Sequence, residues 1–141
     1  GNLTYYFSQW DYHFVPSGVE WILFSPRKPT SQNVTPYGQS TSIPILNITN
    51  LGYGGKNATL SIYQNSTLSC VSTTMSIDNN KSNGIILNSS FQDLTNLTYS
   101  QNASIWLWAD YSCSYSNWTH FNPYFYFRQC CEGCLCDEEV S

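Results

Sequence analysis

The chain reads as an all-β fold, an Ig-like antiparallel β-sandwich of eight or nine short strands with a disulfide-rich C-terminal tail. Three observations predict it. Apolar residues recur with a period of two rather than the helical 3.6. Turn signals punctuate the chain about every eight to twelve residues. β-Formers dominate, with aromatic residues alone at 16% of the 141 residues. No apolar pattern sustains a helix longer than a turn or two, and no long internal repeat is visible. The length fits one domain: a sandwich over residues 1–129, including an N-terminal strand segment 1–25, then a Cys-rich acidic tail over 130–141.

Residues 3–15, LTYYFSQWDYHFV, supply one or two aromatic strands before the turn Pro16-Ser17-Gly18. A second run, 19–24, stops at Ser25-Pro26-Arg27-Lys28-Pro29, where two prolines forbid continued central pairing. Residues 30–41 form a polar connection of the length at which loops become functional. Runs 43–49 and 57–63 alternate cleanly around Leu51-Gly52-Tyr53-Gly54-Gly55, whose glycines can supply positive φ, so they predict a hairpin or two strands joined by an arch. Each carries an Asn-x-Thr sequon. An Asn that bears a glycan must face water, so parity sends Leu46, Ile48, Ala58, Leu60 and Ile62 to the core and Ile45, Thr59 and Ser61 outward.

Gln64-Asn65-Ser66 turns the chain into a strand 67–71 containing Cys70, and 75–77 extends it or passes to another sheet. Residues 78–84 form the strongest turn, ending in an Asn-Gly pair that favours positive φ. A strand 85–90 follows with Ile85, Leu87 and Phe91 inside, and 91–97 reads as a helical turn or inter-sheet crossover. In 103–113, ASIWLWADYSC, Ile105, Leu107, Ala109, Tyr111 and Cys113 share one face, and Ser104, Trp106, Trp108 and Asp110 the other. The last aromatic strand, 119–128, opposes Phe125 and Phe127 to Tyr124 and Tyr126.

The pattern ILNITNLGYGGKNATLSIY, then GIILNSSFQDLTNLTYSQNASIWLWADY, covers about half of the chain. It resembles Ig-like sandwiches of the bacterial cell-adhesion-related type, which use a strand ending in Asn-x-Gly and later a Leu-x-x-Leu turn feeding a long strand. The resemblance implies an adhesion or stalk module without a catalytic site.

Charged residues are only 10% of the chain, against roughly 25% in an ordinary soluble domain. Sequons fill that gap. Fourteen Asn and 32 Ser plus Thr would give roughly three Asn-x-Ser/Thr triplets by chance. The chain has ten, at Asn2, Asn33, Asn47, Asn57, Asn65, Asn80, Asn88, Asn96, Asn102 and Asn117. Glycans at these positions would supply the hydration that Lys and Glu normally provide, on a surface facing the secretory lumen. Glycan density of this order also looks like secreted coat and fibre proteins.

Six cysteines, Cys70, Cys113, Cys130, Cys131, Cys134 and Cys136, agree with an oxidising compartment and three disulfides. A Cys70–Cys113 bridge joining two sheets is one expectation, with the last four tying off the tail. Five Lys plus Arg without a basic run exclude a nucleic-acid surface. No apolar run approaches the ~20 residues of a membrane span, and the chain reads as a mature, processed extracellular one. No cofactor or metal is expected, and no enzyme: Asp11 and His13 share a strand face without a nucleophile motif, His120 stands apart, and Glu20, Asp93 and Asp110 form no evident carboxylate pair.

Parity instead exposes rings: Trp106 and Trp108 on one strand, Tyr124 and Tyr126 on another. They predict a face covered by the chain's own N-terminal segment, an aromatic platform for sugar, or a subunit interface to which Tyr5, Tyr6, Phe7, Trp10 and Tyr12 contribute as a donated strand. The expected function is a non-enzymatic structural glycoprotein that assembles with itself head to tail into a filament or surface coat. The alternative is a module that binds external carbohydrate on the Trp/Tyr platform.

Overall fold

The structure, a computed structural model, describes residues 10–51, 56–65, 68–115, 121 and 123–131 in full and residues 137–140 by their backbone. The fold is all-β. In chain order its strands are β1 (Trp10–Phe14), β2 (Leu46–Asn50), β3 (Ala58–Asn65), β4 (Val71–Ser76), β5 (Ile85–Ile86), β6 (Gln92–Leu97), β7 (Asn102–Tyr111), β8 (Tyr124–Cys130) and β9 (Asp137–Val140). They form two antiparallel sheets, ordered β1-β2-β7-β4-β5 and β6-β3-β8-β9. Among the described residues the one helical element is a 3₁₀ turn, Lys81–Asn83.

Alternation builds the core. Leu46, Ile48, Ile105 and Leu107 from the first sheet meet Leu60, Ile62, Phe125 and Phe127 from the second, each at most 1% exposed, in one cluster. Burying a side chain of this size contributes about 1.5–3 kcal/mol, so the cluster is the main source of stability. Ala58, Ala109, Tyr111 and Cys113 are buried as parity requires. Burial pushes the Tyr111 hydroxyl up to about 12. Between the sheets lies a polar knot. Buried Asn50 donates to the carbonyls of Lys56 and Leu97, each at 3.0 Å, and accepts from buried Gln129 at 3.2 Å, tying the ends of β2, β6 and β8 together.

Several local expectations are corrected. The runs around 51–55 are not a hairpin: β2 and β3 lie in opposite sheets, so their connection is an arch; Gly52, Tyr53, Gly54 and Gly55 lie outside the described residues. Ile45, expected outward, is fully buried, because Pro44 interrupts the alternation and regular pairing begins at Leu46. Ser61 is also buried: its neighbours in register, Arg128 on β8 and Asp93 on β6, flank it, and its hydroxyl donates to Asp93 at 2.8 Å. The strand expected at 67–71 runs instead from Val71 to Ser76. Residues 91–97 are neither helical turn nor crossover but β6, paired with β3, so the change of sheet falls at 87–91. The expected strand 85–90 contracts to Ile85–Ile86.

Gly84 has φ −85°, not the positive value expected of an Asn-Gly turn. Its need is for space: a Cβ would stand 2.7 Å from the Met75 carbonyl oxygen and from Thr74 Cγ2. The run 19–24 is irregular and contributes a single bridge, Phe24 to Pro36. Cys70 and Cys113 are bridged, but within one sheet rather than across two: they flank the paired ends of β4 and β7, where Val71 faces Tyr111. Cys130 and Cys131 also stand in disulfides; Cys134 and Cys136 lie outside the described residues. The acidic tail returns as β9, pairing with β8 from Tyr126↔Val140 to Gln129↔Asp137.

Candidate functional site

Trp106 and Trp108 point away from the core, as alternation requires, yet only one is partly open. Residues 30–41, expected to be loop, act together with Pro29 as a strap along the part of the β7 edge that β2 leaves open. Cys113 and Tyr111 donate to the carbonyls of Pro29 and Ser31, Val34 and Ala109 exchange both backbone bonds, and the Gln39 side chain bonds both the N–H and the C=O of Leu107 at 2.9 Å. This strap takes over the β7 edge where β2 stops, at Leu46↔Ile105. Trp108 is buried, and Trp106, half-buried, donates from its indole nitrogen to the Ser40 carbonyl at 2.9 Å. Both rings line a 240 Å³ pocket with Thr35, Gln39, Ser40, Thr41 and Asn79.

The β4–β5 turn locks the strap at two points. Asn79 donates to the Thr41 carbonyl at 3.0 Å, and Lys81 Nζ reaches both Asn33 Oδ1 at 2.6 Å and Asp110 Oδ2 at 2.5 Å. Asn33, at φ +54°, also donates its own N–H to Asp110 Oδ1 at 2.8 Å. Partial burial works against the Asp110 carboxylate, but the hydrogen bonds from Lys81 and Asn33, with the Lys81 charge, more than offset it and hold the pKa below the ordinary 3.8.

The four rings expected on one platform therefore occupy opposite faces of the sandwich. Trp106 and Trp108 leave the five-stranded sheet, whereas Tyr124 and Tyr126 leave the four-stranded one. On that second face Tyr126 stacks on Tyr63 with centroids 4.4 Å apart, Phe91 meets Tyr63 edge-on at 4.5 Å, and the Arg128 guanidinium lies 4.0 Å over Phe91. Tyr124, 52% exposed, extends this cluster toward water. Trp10 and Tyr12, expected at an interface, pack half-buried against their own core, Trp10 edge-on to Phe127 at 6.1 Å. Tyr5, Tyr6 and Phe7 lie outside the described residues.

A more open aromatic surface is one the sequence reading missed. Trp21 is 66% exposed, Leu23 48% and Tyr37 71%, and they line a shallow 220 Å³ pocket with Gly18, Val19 and Glu20. The Tyr37 N–H donates to the Leu23 carbonyl at 2.8 Å, so the strap holds the two sides together. The signal was present: Trp21 and Leu23 alternate with Ile22 and Phe24, and the second pair packs on the core while the first stays outward.

Eight of the ten sequons begin within the described residues, and Asn2 and Asn117 do not. Seven of those eight asparagines are exposed and Asn47 is half-buried. Their amides are used in one direction. Asn33, Asn47, Asn80, Asn88 and Asn96 accept at Oδ1, while no sequon asparagine among the described residues donates from Nδ2. Asn50, Asn79 and Asn83, which are not in sequons, all donate from Nδ2. Among the described residues, the nitrogen at which a glycan would attach is thus free at the sequons and committed at Asn50, Asn79 and Asn83.

Three of the described carboxylates serve structural bonds. Asp93 takes Ser61 and Asp110 takes Lys81. The Asn83 amide, the Asn80 N–H and the Ser76 hydroxyl hold Asp78 below its ordinary pKa. Asp11 and His13 share the exposed side of β1, Glu20 is exposed at the shallow pocket, and His120 lies outside the described residues. Among the described residues no His/Cys/Asp/Glu group could hold a metal ion, and no helix is long and apolar enough to cross a membrane. No family model matches the chain, and the comparisons found no matching curated protein or solved structure. The two antiparallel sheets are compatible with a β-sandwich, and no comparison supports the cell-adhesion-related Ig-like type.

Proposed function

We propose that this chain is a non-enzymatic, heavily N-glycosylated extracellular structural domain that assembles head to tail through its N-terminal strand. The observation that carries the reading is the division of the described asparagines into sequon members with a free Nδ2 and non-sequon members with a committed one. The Cys70–Cys113 disulfide fits the oxidising compartment in which such glycans are added.

Assembly is supported by where the sequons fall. β1 ends its sheet and contains none, and Trp10 packs across the sandwich on Phe127 of β8, which lies between β3 and the sequon-free edge β9. The opposite edges are marked by sequons: Asn96 lies on β6, and Asn88 follows β5. A strand that places Trp10, Tyr12 and Phe14 against the core from a sheet edge is suited to exchange with a second copy, because the same side chains can fill the same groove in trans. Repeated without closure, that contact builds a filament.

Negative-stain microscopy of the native protein tests the reading, with filaments expected and monomers at high concentration counting heavily against it. Deleting residues 1–15 should abolish polymers and leave a β-type circular dichroism spectrum. Polymers that persist exclude the strand-donor role.

A second reading, an adhesive module for external carbohydrate, is favoured by the exposed Trp21 and Tyr37 beside a shallow pocket. A glycan array probed with the parent and with Trp21→Ala separates the two, since a parent that binds no sugar sinks this reading alone.

A further inference from the structure

Four of the sequons pair with one another. Asn47-Ile48-Thr49 on β2 runs antiparallel to Asn102-Ala103-Ser104 on β7 in strict opposition: Asn47↔Ser104, Ile48↔Ala103 and Thr49↔Asn102. In the other sheet Asn57-Ala58-Thr59 meets Asn96-Leu97-Thr98, with Ala58↔Leu97 and Thr59↔Asn96. The tripeptide spans one full strand period, so opposing middle residues send both asparagines and both hydroxyls to the same outer face. The middle residues are buried accordingly: Ile48 1%, Ala103 6%, Ala58 4% and Leu97 2% exposed.

The pairs are also hydrogen-bonded across the strands. The Ser104 hydroxyl donates to Asn47 Oδ1 at 2.8 Å, and the Thr59 hydroxyl to Asn96 Oδ1 at 2.7 Å. In both cases the hydroxyl of one sequon holds the amide oxygen of the other, which turns the planar amide's nitrogen away from the partner strand. The two asparagines of a pair occupy diagonal positions, roughly 7–8 Å apart in an antiparallel ladder. Two glycan stems leaving one face at that spacing cover each other's attachment bonds.

We infer that the outer face of each sheet carries a twin N-glycan site, Asn47 with Asn102 on one and Asn57 with Asn96 on the other, in which each glycan shields the linkage of its partner. This rests on the glycosylated reading above. The turn sequons oppose no other sequon in a strand ladder and serve as controls: Asn80 accepts the Ser82 N–H and Asn88 the Ser90 N–H, each the third residue of its own triplet.

The test is site-resolved enzymatic release. Native glycoprotein is treated with a peptide N-glycosidase in heavy-oxygen water without denaturant, and the converted asparagines are read by peptide mass spectrometry. Release at Asn80 and Asn88 should run several-fold ahead of release at the four paired positions, and denaturation should erase the difference. Asn47→Gln should speed release at Asn102 and leave Asn57 and Asn96 slow, and Asn57→Gln should do the converse. Should Asn47→Gln fail to fold, Ser104→Ala empties Asn102 instead and release at Asn47 is read. Equal rates at all sites of the native protein, or acceleration in both sheets or in neither, overturn the twin sites. So do empty strand sequons beside occupied turn sequons, a result that leaves the glycosylated reading standing. Absence of glycan at every sequon of the denatured chain overturns that reading itself.

Discussion

Trp108 and Trp21 carry the same side chain into opposite surroundings: one is 9% exposed beneath the strap, the other 66% exposed beside Tyr37. The strap accounts for both. By bonding the β7 edge from Leu107 to Cys113 it covers the outer face of β7. By bridging back from Pro36 to Phe24 it holds the preceding run at the surface with Trp21 outward. Strand alternation states which way a side chain leaves its sheet. What later lies over that side chain is a long-range property, and here a polar segment some 70 residues away from β7 decides it.

The contrast is broken most directly by truncating the buried ring. Trp108→Ala should cost about 3–5 kcal/mol in urea unfolding. Equal midpoints for Trp108→Ala and the parent would show that the strap does not cover the ring in solution. Removing the clamp instead of the ring has a smaller effect: Gln39→Ala leaves the Leu107 N–H and C=O without their partner, a loss of about 2 kcal/mol. Amide hydrogen exchange should accelerate at Leu107 and Ala109 and not at Ile48, and unchanged protection at Leu107 would mean that another group holds that edge.

How far these features were legible from the chain depends on range. Period-two alternation and glycan parity located the core of β2, β3, β7 and β8, because a strand's own side chains carry that information. The position of Ser61 did not follow from parity, since it depends on Arg128 and Asp93 from two other strands. Residues 30–41 carry no alternation to mark them as paired, because backbone bonds at Ser31 and Val34 and the side-chain amides of Gln32 and Gln39, rather than an apolar face, attach them to β7. The outward direction of Trp106 and Trp108 was readable and their cover was not. Asn50 stands in an ordinary Asn-x-Gly context, and only the meeting of three strand ends reveals it as a buried hub.

Acid sharpens the strap's contribution. The Asp110 pKa is lowered in the folded state, so the stability it contributes is present above the unfolded value of 3.8 and is lost as pH falls below it. Asp78 shifts in the same direction, so the parent's acid limb contains both. Asp110→Asn should flatten part of that limb, read as a smaller drop in urea midpoint from about pH 6 to about pH 2. An acid limb identical to the parent's would place the Lys81–Asp110 contact outside the stability of the strap.

The smallest effect on stability belongs to the exposed half of the comparison and carries the most about function. Trp21→Ala removes a ring that covers no core, so its unfolding midpoint should stay within about 0.5 kcal/mol of the parent's. A ring of this size is retained in water by what it contacts rather than by what it supports, and exposed aromatic groups beside a pocket mark contact surfaces. If the chain binds sugar through Trp21 and Tyr37, the variant loses array binding, while the filaments proposed to form through β1 should persist. Filaments lost in Trp21→Ala at unchanged stability would move the assembly contact from β1 to the run before the strap. A stability loss approaching that of Trp108→Ala would show instead that Trp21 is covered in solution, and the two tryptophans would cease to differ.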